Sequence, residues 1–207
     1  MAIKDIKSQI LSAAVKEFVA CGYSGARMQA IADKAGINKA LLHYHFSSKE
    51  KLYHVVLKAQ FSALAETLID IFSSNEDLEP WLRRIIRELL HNFSARPHFS
   101  RFVIWELNTK GKHLPRIFEE VLRNRMQGMF LERIAFKLEE SGIRDYPPQQ
   151  FLLNLLSLCI YPSIARPLLE QVMGKEIFSD PDFISKREEE IFQLIKHGII
   201  HKMRGEK

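Results

Sequence analysis

The 207-residue chain contains few of the residues that break or cross-link a fold: two cysteines, eight prolines and nine glycines. So little glycine and proline argues against a disordered chain, and 46% apolar residues are enough for a packed core. Cys21 and Cys159 lie far apart in apolar helical segments, so we interpret them as buried free thiols rather than a disulfide. The composition therefore predicts a globular protein of the reducing cytoplasm.

Long hydrophobic runs and catalytic motifs are also missing. No apolar run reaches the roughly 18 residues needed to span a bilayer, and residues 1–6 lack the apolar stretch of a secretion signal. The sequence contains no Gly-rich phosphate loop, nucleophile elbow or cluster with metal-ligand spacing. His43 and His45 would point about 200° apart on a helix and could not chelate one ion. We therefore expect no enzyme, no membrane association, no metal and no cofactor.

The net charge is concentrated at one end of the chain. Residues 1–58 carry nine basic and four acidic side chains, which accounts for the whole net charge of +5. The remaining 149 residues carry 21 side chains of each sign. A basic end on a neutral body is the distribution expected when only that end binds a polyanion.

Apolar residues recur at helical spacing along nearly the whole chain, and no stretch alternates like a half-buried strand. Gly22 ends the first predicted helix, and Gly36 ends a short second one. Asn38 is placed to cap a third helix over residues 39–45. Six prolines stand near the expected starts of later helices: Pro80, Pro97, Pro115, Pro148, Pro167 and Pro181.

This spacing predicts an all-α fold of about nine helices. We expect an N-terminal three-helix domain over residues 1–58 and a C-terminal helical bundle over residues 59–207. A polar break over residues 73–79 separates the early helices from the later ones.

The second and third predicted helices are joined by the turn over residues 35–38 and form a helix-turn-helix, in which glycine permits the sharp turn. In the third helix, about 100° per residue places Leu42 and Phe46 inward and His43 and Tyr44 outward. Aromatic, imidazole and cationic groups on one outward face suit a DNA major groove, because such groups read base edges while cations bind phosphates.

Five segments in the first 60 residues resemble the signature of the TetR family of transcriptional regulators. In order they are Gly22-Tyr23, Ile31-Ala32, Ala35-Gly36-Ile37-Asn38-Lys39, Leu42-His43-Tyr44-His45-Phe46 and Ser48-Lys49-Glu50-Lys51-Leu52. The resemblance implies a repressor-like dimer whose third helix enters the major groove of a near-palindromic operator. It also implies that an effector bound in the C-terminal domain changes the distance between the third helices of the two subunits.

By matching position, the resemblance implies DNA contacts from the second, third and fourth helices. The implied contact residues are Arg27, Gln29, Lys39, Leu41, His43, Tyr44, His45 and Lys49. Lys49 would bind a phosphate from the start of the fourth helix. The chain departs from the family pattern at Arg27 and Leu41, where Thr or Ser is frequent, and at His43, where Tyr is frequent.

The C-terminal part is rich in aromatic rings and methionine, which line pockets for apolar ligands. The predicted pocket residues are Phe93, Phe102, Trp105, Met126, Met129 and Phe130. They would suit a small apolar or aromatic effector. The alternative is that these side chains only form the core.

Two apolar stripes, on helices over residues 149–166 and 181–203, predict a homodimer with a four-helix interface. The predicted interface residues are Leu152, Leu155, Leu156, Cys159, Ile191, Leu194, Ile195 and Gly198. The alternative is that both stripes pack inside one subunit.

The sequence therefore predicts a DNA-binding transcriptional regulator, a repressor released by a small lipophilic ligand. Two other functions stay open. One is a helical protein–protein adaptor, which would have no reason to keep four residues together on one basic face: Lys39, His43, Tyr44 and Lys49. The other is a regulator controlled by a partner protein, with a core packed solid around Trp105 and Phe130.

Overall fold

The structure is a computed structural model that describes residues 2–108, 113, 115–117, 120, 129–174 and 180–201. Its α-helices are Ala2–Gly25 (α1), Met28–Ala35 (α2), Lys39–His45 (α3), Lys49–Ser73 (α4), Leu78–Ala95 (α5), Pro97–Asn108 (α6), Met129–Glu140 (α7), Pro148–Ile164 (α8), Arg166–Met173 (α9) and Pro181–Ile195 (α10). A π-helical segment, Lys196–His201, follows α10. The all-α prediction is confirmed, with no strand among the described residues.

Ten α-helices have bounds among the described residues, where about nine were expected in all, and residues 115–117 and 120 are helical as well. The chain bends at Ala165 between α8 and α9, and the two helices make an angle of 73°. No single helix of the described part is long and apolar enough to span a membrane. The bent pair of α8 and α9 reaches that length and composition only when the two helices are taken together.

Helix α1 is kinked at Gly22, where φ is 65° and ψ is 177°. This backbone conformation favours glycine, because a side chain would clash with the backbone there. The helical path resumes after the kink and continues to Gly25, beyond the end expected at Gly22. The buried face of α1 passes through Val19 and Gly22, so Cys21 points to solvent and its predicted burial is wrong. Cys159 is buried as predicted.

The residue contacts divide the chain into two compact units. Unit 1 contains residues 1–63 and 98–121, and unit 2 contains residues 64–97 and 122–207. In unit 1, α1 packs against α2, and α2 packs against α3. The buried residues of unit 1 include Ile10, Phe18, Ile31, Leu42, Leu52, Tyr53 and Phe102. A functional division at residue 58 stays a prediction.

In unit 2, α5 packs against both α8 and α10, and α7 packs against α8. Ion pairs from Arg83 to Glu189 and from Arg87 to Glu188 join α5 to α10. The buried residues of unit 2 include Trp81, Ile86, Leu155, Cys159, Ile191 and Phe192.

Four of the eight residues predicted for the dimer interface were assigned wrongly. Leu155, Cys159, Ile191 and Ile195 are buried inside the single subunit, so they belong to its own core and have no surface left for a second copy. The physical reason is that α5 covers the inner stripes of α8 and α10. The other four predicted residues remain accessible: Leu152 and Leu156 are half-buried, and Leu194 and Gly198 are exposed.

Candidate nucleic-acid interface

The turn between α2 and α3 is closed by local hydrogen bonds. Gly36 ends α2 in the left-handed conformation, with φ 67° and ψ 29°, and its N–H donates to the carbonyls of Ala32 and Asp33. Asn38 begins α3 as its N-cap, since its side-chain oxygen accepts from the N–H of Leu41 at 2.8 Å. The bounds predicted for α3 are therefore confirmed.

Helix α3 has one buried and one exposed face. Leu42 and Phe46 are buried in unit 1, which confirms the predicted inner face. Four residues of the opposite side are exposed: Lys39, Ala40, His43 and Tyr44. We call this set the reading face. Tyr44 is 83% exposed, which is unusual for an aromatic ring.

Two predicted contact residues of α3, Leu41 and His45, flank the reading face and are half-buried. The His45 ring lies 5.4 Å from the Tyr44 ring in an edge-on contact, measured between centroids. Neither His43 nor His45 joins a group of three potential metal ligands within the part of the chain that the structure describes.

The start of α2 lacks a cap from its own N-cap residue. Arg27 occupies that position in an extended conformation, and its side chain makes no capping hydrogen bond. The Arg27 N–H instead donates to Glu17 Oε1 of α1 at 3.3 Å. Glu17 thus replaces the glutamate that, in a capping box, accepts this hydrogen bond from the first turn of the same helix. The side chain of Gln29 is exposed, and its Nε2 donates to Asp33 Oδ1 at 2.8 Å. The first N–H groups of α2 therefore form a positive helix end without a side-chain cap.

Glu17 was not singled out from the sequence. It is buried and forms an ion pair with Lys34 in the last turn of α2. The hydrogen bond from Lys34 lowers the pKa of the Glu17 carboxyl, which outweighs the opposing effect of burial. The signal that could have found Glu17 is its position on the apolar face of α1, together with Ile10, Ala14 and Phe18.

The start of α4 approaches the start of α2. Ser48 caps α4, since its Oγ accepts from the N–H of Lys51 at 3.2 Å. Lys49 Nζ donates to the carbonyl oxygens of Ala26 at 3.1 Å and Ser24 at 3.4 Å. It also lies 4.7 Å from the centroid of the Tyr23 ring. The structure thus joins Lys49, predicted as a phosphate contact, to the segment that leads into Arg27.

Helix α4 is linked to α6 by a buried hydrogen bond that sequence reasoning also missed. Tyr53 donates its hydroxyl hydrogen to Glu106 Oε1 at 2.8 Å, and both residues are buried in unit 1. The other carboxyl oxygen of Glu106 accepts from the N–H of His113 at 3.2 Å. Burial is the main reason why the pKa of Tyr53 is raised far above its usual value. The hydrogen bond from Tyr53 to Glu106 therefore joins α4 to α6 inside the core of unit 1.

The predicted pocket residues are divided between the two units. Phe102 is buried in unit 1, where Trp105 lies against Gly22. Phe93 is buried in unit 2, and Met129 and Phe130 are half-buried there. Met126 lies outside the described residues. The effector pocket stays a prediction.

Comparisons with known proteins agree with this geometry. Residues 10–56 match the model for bacterial regulatory proteins of the tetR family. The helix-turn-helix transcriptional repressor SCO4008 of Streptomyces coelicolor is 35% identical over 168 residues, covering 81% of this chain and 82% of that protein. The transcriptional regulator RutR of Escherichia coli is 28% identical over 203 residues, covering 96% and 92%.

The fold is also similar to that of the solved transcriptional regulator FadR from Bacillus subtilis, in complex with stearoyl-CoA. The TM-score is 0.70 at 15% identity, with 93% of this chain and 99% of that chain covered. Fold, helix-turn-helix and relatives together define a DNA-binding transcriptional regulator, a class of protein that acts by binding rather than by catalysis. The chain belongs to the TetR family.

Proposed function

We propose that the chain is a repressor that binds a near-palindromic operator as a homodimer and leaves it when a small lipophilic ligand binds. The observation that carries the DNA-reading part is the 83% exposure of Tyr44 on a helix whose other face is buried. An aromatic ring left in water on a rigid helix is available to contact base edges or a thymine methyl group. The neighbouring Lys39 is exposed on the same face and can bind a phosphate.

The N-terminus of α2 supplements this surface. Its first N–H groups have no side-chain cap, and the helix end carries a partial positive charge. Arg27 and Gln29 are exposed beside it. A DNA phosphate at this position would satisfy the uncapped N–H groups and fix the register of α3 on the duplex.

The reading role of Tyr44 is tested by Tyr44→Ala. We expect specific affinity to fall by about 1–3 kcal/mol, or roughly 5- to 150-fold in Kd, because a base contact is lost. Affinity for unrelated duplex DNA should stay the same, since phosphate contacts carry it. Fluorescence anisotropy with a labelled operator and a scrambled duplex measures both.

The matched control is Phe136→Ala, which removes a 50% exposed aromatic ring from α7 in unit 2. This control should bind the operator like the unchanged protein. Equal affinity of Tyr44→Ala and the unchanged protein for the operator would refute the reading role.

The dimer part of the proposal is supported by apolar residues that remain on the outside of unit 2. Leu194 of α10 is 58% exposed, and Leu153 and Tyr161 of α8 are each 57% exposed. Two copies related by a two-fold axis would cover such residues and present two reading faces to successive major grooves.

The ligand part is supported by the aromatic and methionine content of unit 2 and by the FadR similarity. FadR was solved with stearoyl-CoA, a long-chain acyl thioester. A related ligand would act on this chain only by binding the conformation that leaves DNA more tightly than the one that binds it. We therefore propose an effector with an apolar chain or ring rather than a small polar metabolite.

Titration of the protein–operator complex with stearoyl-CoA tests this part. Saturating ligand should raise the operator Kd at least about tenfold, and operator DNA should weaken ligand binding by the same factor. Free coenzyme A, which has the nucleotide but no acyl chain, is the control and should leave the Kd unchanged. If acyl-CoAs of short, medium and long chain all leave both the Kd and the tryptophan fluorescence unchanged, the effector is of another kind.

A further inference from the structure

The peptide group between Ala26 and Arg27 leads into α2, and charged side chains bind both of its polar atoms. Its carbonyl oxygen accepts a hydrogen bond from Lys49 Nζ of α4 at 3.1 Å. Its N–H donates to Glu17 Oε1 of α1 at 3.3 Å. One peptide plane is thus held from both ends by two helices of unit 1.

The signs of the charges match the peptide dipole. The N–H end of a peptide is its positive end and faces the Glu17 carboxylate, and the carbonyl end is negative and faces the Lys49 ammonium. Each hydrogen bond pairs an ionised side chain with the neutral peptide, and at equal length such a bond is stronger than one between two neutral groups. The Tyr23 ring holds the ammonium from a further side at 4.7 Å.

Glu17 is too deeply buried to contact DNA directly. Its side chain is 6% exposed, and Lys34 of α2 pairs with its second oxygen. A buried carboxylate offers nothing to a phosphate or a base edge, so its effect on DNA must act through α2. Helix α3 packs on α2, and the orientation of α2 therefore determines that of the reading face.

We propose that Glu17 and Lys49 are paired positioning residues that clamp the Ala26–Arg27 peptide and so set the angle at which α2 and α3 meet DNA. This inference rests on the DNA-reading role proposed above for α3. It assigns Lys49 a task different from a simple phosphate contact, because the ammonium is already bound to two carbonyl groups.

Operator titrations of Glu17→Ala, Lys49→Met and the double variant test the clamp. We expect Glu17→Ala to raise the operator Kd roughly tenfold without changing the slope of log K against log salt, since no phosphate contact is lost. The double variant should lose clearly less than the product of the two single losses, because each change breaks the same clamp. Glu17→Gln keeps an acceptor for the Arg27 N–H and should recover part of the loss.

The controls are Glu66→Ala and Lys186→Met, which remove exposed charges from α4 and α10 and should leave the Kd unchanged. Circular dichroism and affinity for a scrambled duplex show whether each variant is folded. If Glu17→Ala is unfolded, Glu17→Gln takes its place and should raise the operator Kd by a smaller factor.

Two outcomes overturn the clamp. In the first, Lys49→Met lowers the salt slope by about 0.9 and its loss multiplies with that of the Glu17 variant, which identifies Lys49 as a phosphate contact only. In the second, Tyr44→Ala weakens operator binding while a folded Glu17 variant does not. A Tyr44→Ala variant with full affinity would instead remove the reading role of α3, and the clamp would fail with it.

Discussion

Gly22→Ala is expected to lower the free energy of unfolding by about 2–6 kcal/mol. Two costs add at this position. The backbone, with φ 65° and ψ 177°, lies in a region that residues with a side chain rarely adopt. A Cβ would also lie 2.8–2.9 Å from three atoms of the Trp105 ring, so the ring would have to move. Urea unfolding followed by circular dichroism measures the change.

Gly36→Ala is the matched control for this prediction. Gly36 has a similar φ of 67° but a ψ of 29°, which is the left-handed helical region that other residues occasionally adopt. An added Cβ there would meet no atom within 4 Å among the described residues. Its cost should be the conformational part alone, about 1–2 kcal/mol. In a Trp105→Ala background, Gly22→Ala should lose the steric part of its effect. Equal costs at the two glycines would contradict the close packing of Trp105 on the α1 kink.

Leu194→Glu is expected to dissociate the dimer and to raise the operator Kd roughly 100-fold or more, because each dimer would bury two unpaired carboxylates. The residue is 58% exposed in the single subunit, so the fold itself should tolerate the change. A monomer presents only one reading helix, which contacts a few base pairs. Analytical ultracentrifugation and operator titration measure the two effects.

Phe136→Glu places the same charge at a 50% exposed position of α7 and should leave both assembly and affinity unchanged. The proposed interface fails if the unchanged protein sediments at micromolar concentration as a monomer of 24.1 kDa. It fails also if Leu194→Glu remains a dimer with full operator affinity.

The sequence predicted best those features that depend on neighbouring residues. The left-handed Gly36 and the Asn38 cap are short-range devices, and their residue types alone place the start of α3. Helical spacing likewise assigned Leu42 to the core and Tyr44 to solvent.

Features that depend on distant residues were missed. Glu17 accepts a hydrogen bond from the N–H of Arg27, ten residues later in the chain. Tyr53 donates to Glu106, 53 residues later. Such contacts appear only once helices have packed. For the same reason, the apolar stripes of α8 and α10, which contain Leu155 and Ile191, revealed two buried faces but not that α5 of the same subunit covers them.

The central claim, that two copies of this chain read a symmetric DNA site through α3, is tested most directly by selecting binding duplexes from a random-sequence pool. The account predicts enrichment of an inverted repeat whose half-sites lie about 34–36 Å apart, or a multiple of that distance. Selection with Tyr44→Ala should return the same spacing with weaker base preference in each half-site. Recovery of no common sequence, or of a single site without two-fold symmetry, would contradict the account.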